Sequence, residues 1–534
     1  MQPSWLVLLP PFLVLFATFL TRKLNISLIL GLITSALIAT KFSLIDSIAL
    51  LSKKFFFQIT DVENLYLYSF LLMLGIIITI INYTGGAAAF AHQIGKRLRS
   101  AKSAQIATMS LSSILFIDDY LSYLTTGHVM RPICDKFKIP RAKLAFLIHS
   151  FGGPIVILGL VSSWVALITS QLDQAGVSPL ANENTKILAD PFYIYLGSLP
   201  FIFYSFLIIA STWYIVLKKI SYGPMHYHEL IAQRTNNLFG GKKPLKSGQT
   251  EPYIEGKVYF LLIPLLTLII TFLIGTAYSG GYHLLGGKHS LLDAFKLNTQ
   301  PFFVLFLSGF ITLLISIILA LLTRSISLKK GIILFKDGIE LMRSPVIMVF
   351  LASTLGIILR NDLKTGTYLA HLVFNTLPIY LLPVIFYCIA FLIAFITGTS
   401  WGTIALMVPI ATQMLTSLFE LPTPITPHLI PLLFPLLGAL FSGATAGDHL
   451  SPISETTIMS ASSAGCYPVD HTYTQLFYAA PALFSTFIAY LVSGTLIHYS
   501  LAMNFFISFS ISLACCLTII TICNLRTKKN EIPE

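Results

Sequence analysis

The chain has 534 residues, of which 55% are apolar and only 10% charged. Soluble domains carry about 25% charged residues, so ordinary globular, disordered and collagen-like classes are excluded. A mean hydropathy of +0.81 calls for lipid as the solvent. The excess of 34 Lys and Arg over 22 Asp and Glu, net +12, sits in short loops between apolar runs. That pattern sets membrane orientation and argues against nucleic acid as a partner. No stretch outside the apolar runs exceeds about forty residues, which leaves no room for a separate water-soluble catalytic domain.

In chain order, the first apolar run, Trp5 to Leu20, is followed by Arg22 and Lys23 and lacks both a basic leader and a small-residue cleavage site. It reads as a retained span and not a signal peptide. Spans of about 20 apolar residues are predicted near 4–20, 24–40, 64–83, 144–171, 191–217, 258–278, 300–322, 378–397, 403–419, 472–498 and 500–524. Three stretches, 103–130, 345–378 and 428–465, are interrupted by Asp, Gly, Pro or dense Ser/Thr. Non-helical backbone at membrane depth survives only where it is buried in protein or lines a cavity. The fold class predicted is an all-α polytopic membrane protein of about 11–13 transmembrane helices, with re-entrant hairpins and broken helices.

Basic residues at 95–102, 131–143, 218–257, 324–343 and around Arg526 account for 24 of the 34 Lys and Arg and mark the cytoplasmic side. Segment 103–130 has basic loops at both ends, so it is expected to be a re-entrant hairpin. Residues 218–257 read as a cytoplasmic loop, 526–534 as a short polar tail, and the amphipathic stretch 324–343 as lying on the inner membrane surface. The simplest count nevertheless puts the tail outside, against its own charges. One crossing is therefore unaccounted for, and 345–378 is where it is expected. The six Cys show no C-x-x-C spacing and read as small core residues.

From Asp119 the chain reads DYLSYLTTGHVM, and from Asp448 it reads DHLSPISETTIM, an offset of 329. The connector after the first is strongly basic, while that after the second has no Lys or Arg, so the two copies face opposite sides. This is the signature of inverted-topology repeats, here about 64–217 and 378–498 within a single transporter domain spanning 1–525. A second matched pair is SSW at 162–164 and TSWGT at 399–403.

Of the 22 acids, Asp118, Asp119, Asp448 and Glu455 lie in irregular membrane stretches. A carboxylate at that depth costs several kcal/mol unless it is paired, ligated or protonated, so these four are the candidate ion- and proton-binding groups. Ser122, Thr125 and Thr126 follow the first pair; Ser451, Ser454, Thr456 and Thr457 follow Asp448. Hydroxyls beside a carboxylate are hard oxygen ligands for a small cation, and a desolvated carboxylate can carry a proton near neutral pH. Close helix packing explains single hydroxyls, but less readily the acid beside them. Ser163, Ser400, Trp401, Gly402 and Thr403 are added as candidate lining, with His149 and His449 as histidines at membrane depth. His226 and His228, two apart in a loop, read as solvated. No phosphate loop, metal cluster or nucleophile elbow is present in the sequence, so an enzyme and an ATP-driven pump lose support.

Three blocks, 116–148, GTSWGTIALMVPIA (398–411) and GDHLSPISETTIMS (447–460), resemble the NhaC-type sodium/proton antiporter family. The resemblance implies a secondary transporter of a bacterial inner membrane that exchanges cytoplasmic Na⁺ for external H⁺. Asp119 and Asp448 would be the cation or proton carboxylates, with Ser451, Ser454 and Thr456 lining the site. It implies no cofactor and no resident metal, only transported Na⁺ and H⁺, with the bilayer as partner and a homodimer left open. One departure stands out: where relatives carry an acid in a D-S-T-A-A-P stretch, this chain has His149-Ser150-Phe151-Gly152-Gly153-Pro154. Relatives also exchange malate or lactate, so a small organic acid is the alternative cargo.

Overall fold

The computed structural model describes residues 5–21, 24–95, 98–244, 256–296, 300–419 and 424–531. Arg22 and Lys23, residues 245–255 of the basic loop and the end of the tail (532–534) lie outside the described residues. The chain is helical nearly throughout, because lipid offers backbone groups no partner and a helix satisfies them within itself. Nine helices among the described residues are long and apolar enough to cross a membrane. Along Tyr259–Ser279, Leu266, Ile270 and Ile274 are each more than half exposed while Leu261, Leu265 and Leu268 are buried. One helical face therefore meets lipid and the other meets protein.

The second expected span is shortened: Leu24–Ala39 has 16 residues, about 24 Å of helix against a hydrocarbon core of about 30 Å, while Leu9–Thr21 with the preceding 3₁₀ turn Trp5–Leu8 reaches about 28 Å. They pack on each other, and Asn25 and Ile26 beside their junction line the central cavity. The pair is a hairpin ending at the cavity. The amphipathic stretch 324–343 is corrected too. It opens one 30-residue helix, Leu328–Ile357, which runs on through a π turn, Ile358–Asp362, and is apolar enough to span. Its polar face serves the wet end of a crossing helix, whose Gly338 meets the helix Val62–Tyr83 backbone to backbone at Gly75. This is the missing crossing. The last helix, Leu501–Glu531, then ends beside the basic loop, with Asn524 Oδ1 accepting from the Ser221 N–H and Thr521 bonded to Tyr214.

Four helix–break–helix units form the centre. Hairpin 1 joins Ala101–Ile114 to Asp119–Lys136, and broken span 1 joins Arg141–Val156 to Ser163–Gln174. Hairpin 2 joins Leu382–Thr397 to Ser400–Leu418, and broken span 2 joins Leu433–Leu450 to Glu455–Ala464. Hairpin 1 starts and ends on the basic-loop side, where Lys102 Nζ donates to the Leu217 carbonyl and the Arg141 N–H to that of Leu238. Hairpin 2 enters from the other face. Its neighbours there are Gly494, at the far end of the 28-residue helix Pro468–Thr495, and Arg360, whose carbonyl accepts from Gln413.

The repeat register expected from the 329-residue offset does not survive. Asp119 opens a helix after its break, whereas Asp448 lies near the end of a helix before its break. SSW and TSWGT likewise fall in a broken span and in a hairpin. What the matched motifs share is a local task, a polar cap or acid beside a break.

The basic-loop side is closed by the helix Gly223–Thr235, held through an ion pair between Lys143, side chain 5% exposed, and Glu229, which also accepts from Ser221. Removing one member of a buried pair costs about 3–5 kcal/mol. Glu229→Gln is therefore expected to loosen this helix and expose it to protease from the cytoplasmic side, with wild-type protein resistant under the same digestion.

Candidate functional site

At each of the four breaks a side-chain oxygen caps the helix that follows. Asp118 accepts from the Leu121 N–H at 3.1 Å, Ser162 from Val165 at 3.2 Å, Thr399 from Gly402 at 3.2 Å and Ser454 from Thr456 at 3.1 Å. Gly398 closes the first arm of hairpin 2 with φ +68, and a Cβ there would stand 3.0 Å from the Ile453 carbonyl. The breaks of hairpin 2 and broken span 2 thus lie against each other. Three of these helix N-termini border one cavity of about 340 Å³, lined by Asp118, Asp119, Thr399, Ser400, Asp448 and Thr456 among others. The fourth joins through Ser163, whose Oγ donates to Asp118 Oδ2 at 2.8 Å and whose N–H donates to the Ile117 carbonyl. Helix N-termini carry about half a positive charge each and favour negative groups nearby.

Asp448 is held by two hydroxyls: Ser454 donates to Oδ1 at 2.6 Å and Thr456 to Oδ2 at 2.9 Å. An ionised carboxylate offers about four lone-pair positions, so roughly half remain for a cation or a proton. Asp119 accepts from the Tyr120 N–H at 3.2 Å, and the buried indole N–H of Trp164 stands beside it. Asp118 spends one oxygen on the cap to Leu121 and the other on Ser163. Glu455 is exposed at the rim and accepts from Tyr120 OH at 2.6 Å. Among the described lining residues there is no Lys and no Arg.

The structure therefore brings Asp118, Asp119, Asp448, Glu455, Ser400, Trp401 and Thr456 to the cavity, with Ser163 and Ser454 one bond behind. It places other candidates elsewhere. Ser122 donates to the Ser112 carbonyl within hairpin 1, and Thr125 to Asn82 of the neighbouring span. Thr403 bonds the Thr399 carbonyl, Ser451 bonds Phe395 and Thr457 bonds Ser451. Gly402 gives its N–H to the cap, and His449 points into protein toward Tyr204 OH at 2.6 Å. The hydroxyls and the amide are satisfied by nearby backbone or packing, an outcome that composition alone does not separate from cavity lining, while His449 is bonded through Nδ1 only.

His149, behind the cavity, reaches Thr456 at 3.1 Å through Nε2 and His471 at 3.1 Å through Nδ1. His471 and Gln475, which the sequence reading leaves in a polar connector and an ordinary span, are fully buried against it. Their spacing of four on one helix was the available signal.

These features define a polytopic membrane transporter, with a candidate site where two hairpins and two broken spans meet. The chain belongs to the Na⁺/H⁺ antiporter family, whose model matches residues 155–495. It is 32% identical over 493 residues, 91% of this chain and 90% of the relative, to an uncharacterized protein of Haemophilus influenzae. It is 28% identical over 192 residues, 36% of this chain and 37% of the relative, to the malate-2H⁺/Na⁺-lactate antiporter of Bacillus subtilis. Among solved structures it is similar to the YdaH transporter of Alcanivorax borkumensis, with TM-score 0.49 and 13% identity over 80% of this chain and 85% of that one. It is also similar to Neisseria gonorrhoeae MtrF, with TM-score 0.42 and 14% identity over 85% of each chain.

Proposed function

We propose that the protein exchanges Na⁺ or Li⁺ for H⁺ across a bacterial inner membrane by alternating access, with Asp119 and Asp448 as the groups that cation and proton share. The observation carrying this reading is the composition of the cavity. Four acids, the hydroxyls of Ser400 and Thr456 and no described basic side chain suit a hard cation. A bound organic anion would have to face those acids unpaired, which is costly in a partly desolvated site.

A second reading, exchange of a small organic acid, rests on the Bacillus subtilis relative and on a volume of about 340 Å³, ample for a dicarboxylate. Proteoliposomes with an internal pH dye separate the two. Na⁺ or Li⁺ added against an imposed proton gradient should dissipate it within seconds, and malate or lactate alone should not. A response to the organic acid with none to Na⁺ would establish the second reading.

A further inference from the structure

Asp448 has a second connection, away from the cavity. An ionised carboxylate only accepts, so the Thr456 hydroxyl donates to it at 2.9 Å and thereby spends its one proton. His149 Nε2, 3.1 Å from the same oxygen, must then be the donor, which leaves Nδ1 of a neutral His149 as an acceptor. That Nδ1 faces His471 Nε2 at 3.1 Å and the Gln475 amide at 3.0 Å, and the same amide also donates to the His449 carbonyl. A neutral His471 that donates through Nε2 carries a bare Nδ1, and this atom is buried with no hydrogen-bond partner. Leaving a buried polar atom unpaired is costly, so this nitrogen is the open end of the hydrogen-bonded chain. His471 lies in the first turn of Pro468–Thr495, one residue from Asp470, which pairs with Lys242 of the basic loop at 2.6 Å.

We propose that His471, His149 and Thr456 form a proton conduit between the cytoplasmic side and Asp448 that bypasses the cavity. The inference rests on the exchange reading above. When the first turn opens to water, a hydronium gives its proton to His471 Nδ1 and leaves as water. The Nε2 proton of His471 passes to His149 Nδ1, the Nε2 proton of His149 to Thr456 Oγ1, and the hydroxyl proton of Thr456 to Asp448 Oδ2. One proton enters, one arrives, and both imidazoles and the hydroxyl end neutral; the reverse sequence discharges Asp448.

The other groups facing the chain are the Tyr123 ring at 5.4 Å and the His449 ring at 4.4 Å from that of His149, together with Tyr204 on His449. Three imidazoles this close repel a second positive charge, so a proton crosses one ring at a time.

The test compares two modes in proteoliposomes, Na⁺/H⁺ exchange and ²²Na⁺/Na⁺ exchange at equal pH, the second needing no proton step. His471→Asn should slow Na⁺/H⁺ exchange about 10-fold or more and leave ²²Na⁺/Na⁺ exchange within about 2-fold of wild type. His471→Gln should do the same and guards against a folding defect peculiar to one variant. Unchanged Na⁺/H⁺ exchange, or an equal loss of both modes in both variants, overturns the conduit alone. Wild-type protein that moves no protons against Na⁺ overturns the exchange reading and the conduit with it.

Discussion

Asp448→Asn is expected to lower Na⁺-driven proton movement at least about 100-fold while the protein still folds. The amide keeps the shape of the carboxylate and can still accept from Ser454, at 2.6 Å in the wild type. It cannot take up a proton, and it offers no negative charge to a cation. Hydrogen bonds to an ionised group contribute about 1.5–3 kcal/mol each, and 1.4 kcal/mol is a factor of ten. Weakening these contacts to neutral ones, with loss of the charge and of the titratable oxygen, accounts for the size. Initial rates per unit of reconstituted protein are the check, and activity above about a tenth of wild type would remove Asp448 as the shared group. Asp118→Asn should behave differently. Asp118 is a cap already satisfied by Leu121 and Ser163, so its loss should cost about 1 kcal/mol of stability and spare much of the transport.

The second large effect is on folding. Gly443 and Gly447 form a G-x-x-x-G pair that lets broken span 2 lie directly on the backbone of hairpin 2. A Cβ at Gly447 would stand 2.3 Å from the Phe391 carbonyl, and one at Gly443 2.4 Å from that of Tyr387. Close approach of this kind drives helix association in lipid, where burying apolar surface brings no gain. Gly447→Leu meets backbone that no rotamer change relieves, so its cost should reach or exceed the top of the usual overpacking range, about 3 kcal/mol. The expected outcome is aggregated or low-yield protein by size-exclusion chromatography. Gly331→Ala, whose Cβ would meet only Ile326 at 3.9 Å, serves as the control and should be at least as stable as wild type. Equal profiles for the two variants would contradict the close-packing account.

Which parts were legible in the sequence follows from which forces act locally. Charge asymmetry and apolar length identified the membrane class, the hairpin at 103–130 and the crossing missing near 345–378, because orientation and span length are properties of single segments. The scarcity of deep acids drew out Asp118, Asp119, Asp448 and Glu455 together, since the cost of a carboxylate in lipid does not depend on the rest of the fold; the choice of Asp119 and Asp448 among them came from the matched motifs and the resemblance. The partners of Ser122, Thr125, Ser451 and Thr457 were not legible, because a hydroxyl bonds equally well to a local carbonyl or to a cargo ion. Nor was the position of Asn25 and Ile26 beside the cavity, which depends on packing between distant segments. His471 was hidden by its position at the end of a polar connector, where nothing in its sequence neighbours marks it as part of a buried cluster.

The central claim is that Na⁺ and H⁺ compete for the same carboxylates. Its most direct measurement is the apparent affinity of the purified, reconstituted protein for Na⁺ as a function of pH. Competition predicts that protons displace Na⁺ as pH falls, so the apparent Kd should rise about tenfold per pH unit for one proton displaced and level off at alkaline pH. The maximal rate extrapolated to saturating Na⁺ should change far less. An apparent Kd that stays constant between about pH 6 and pH 9 would contradict a shared site.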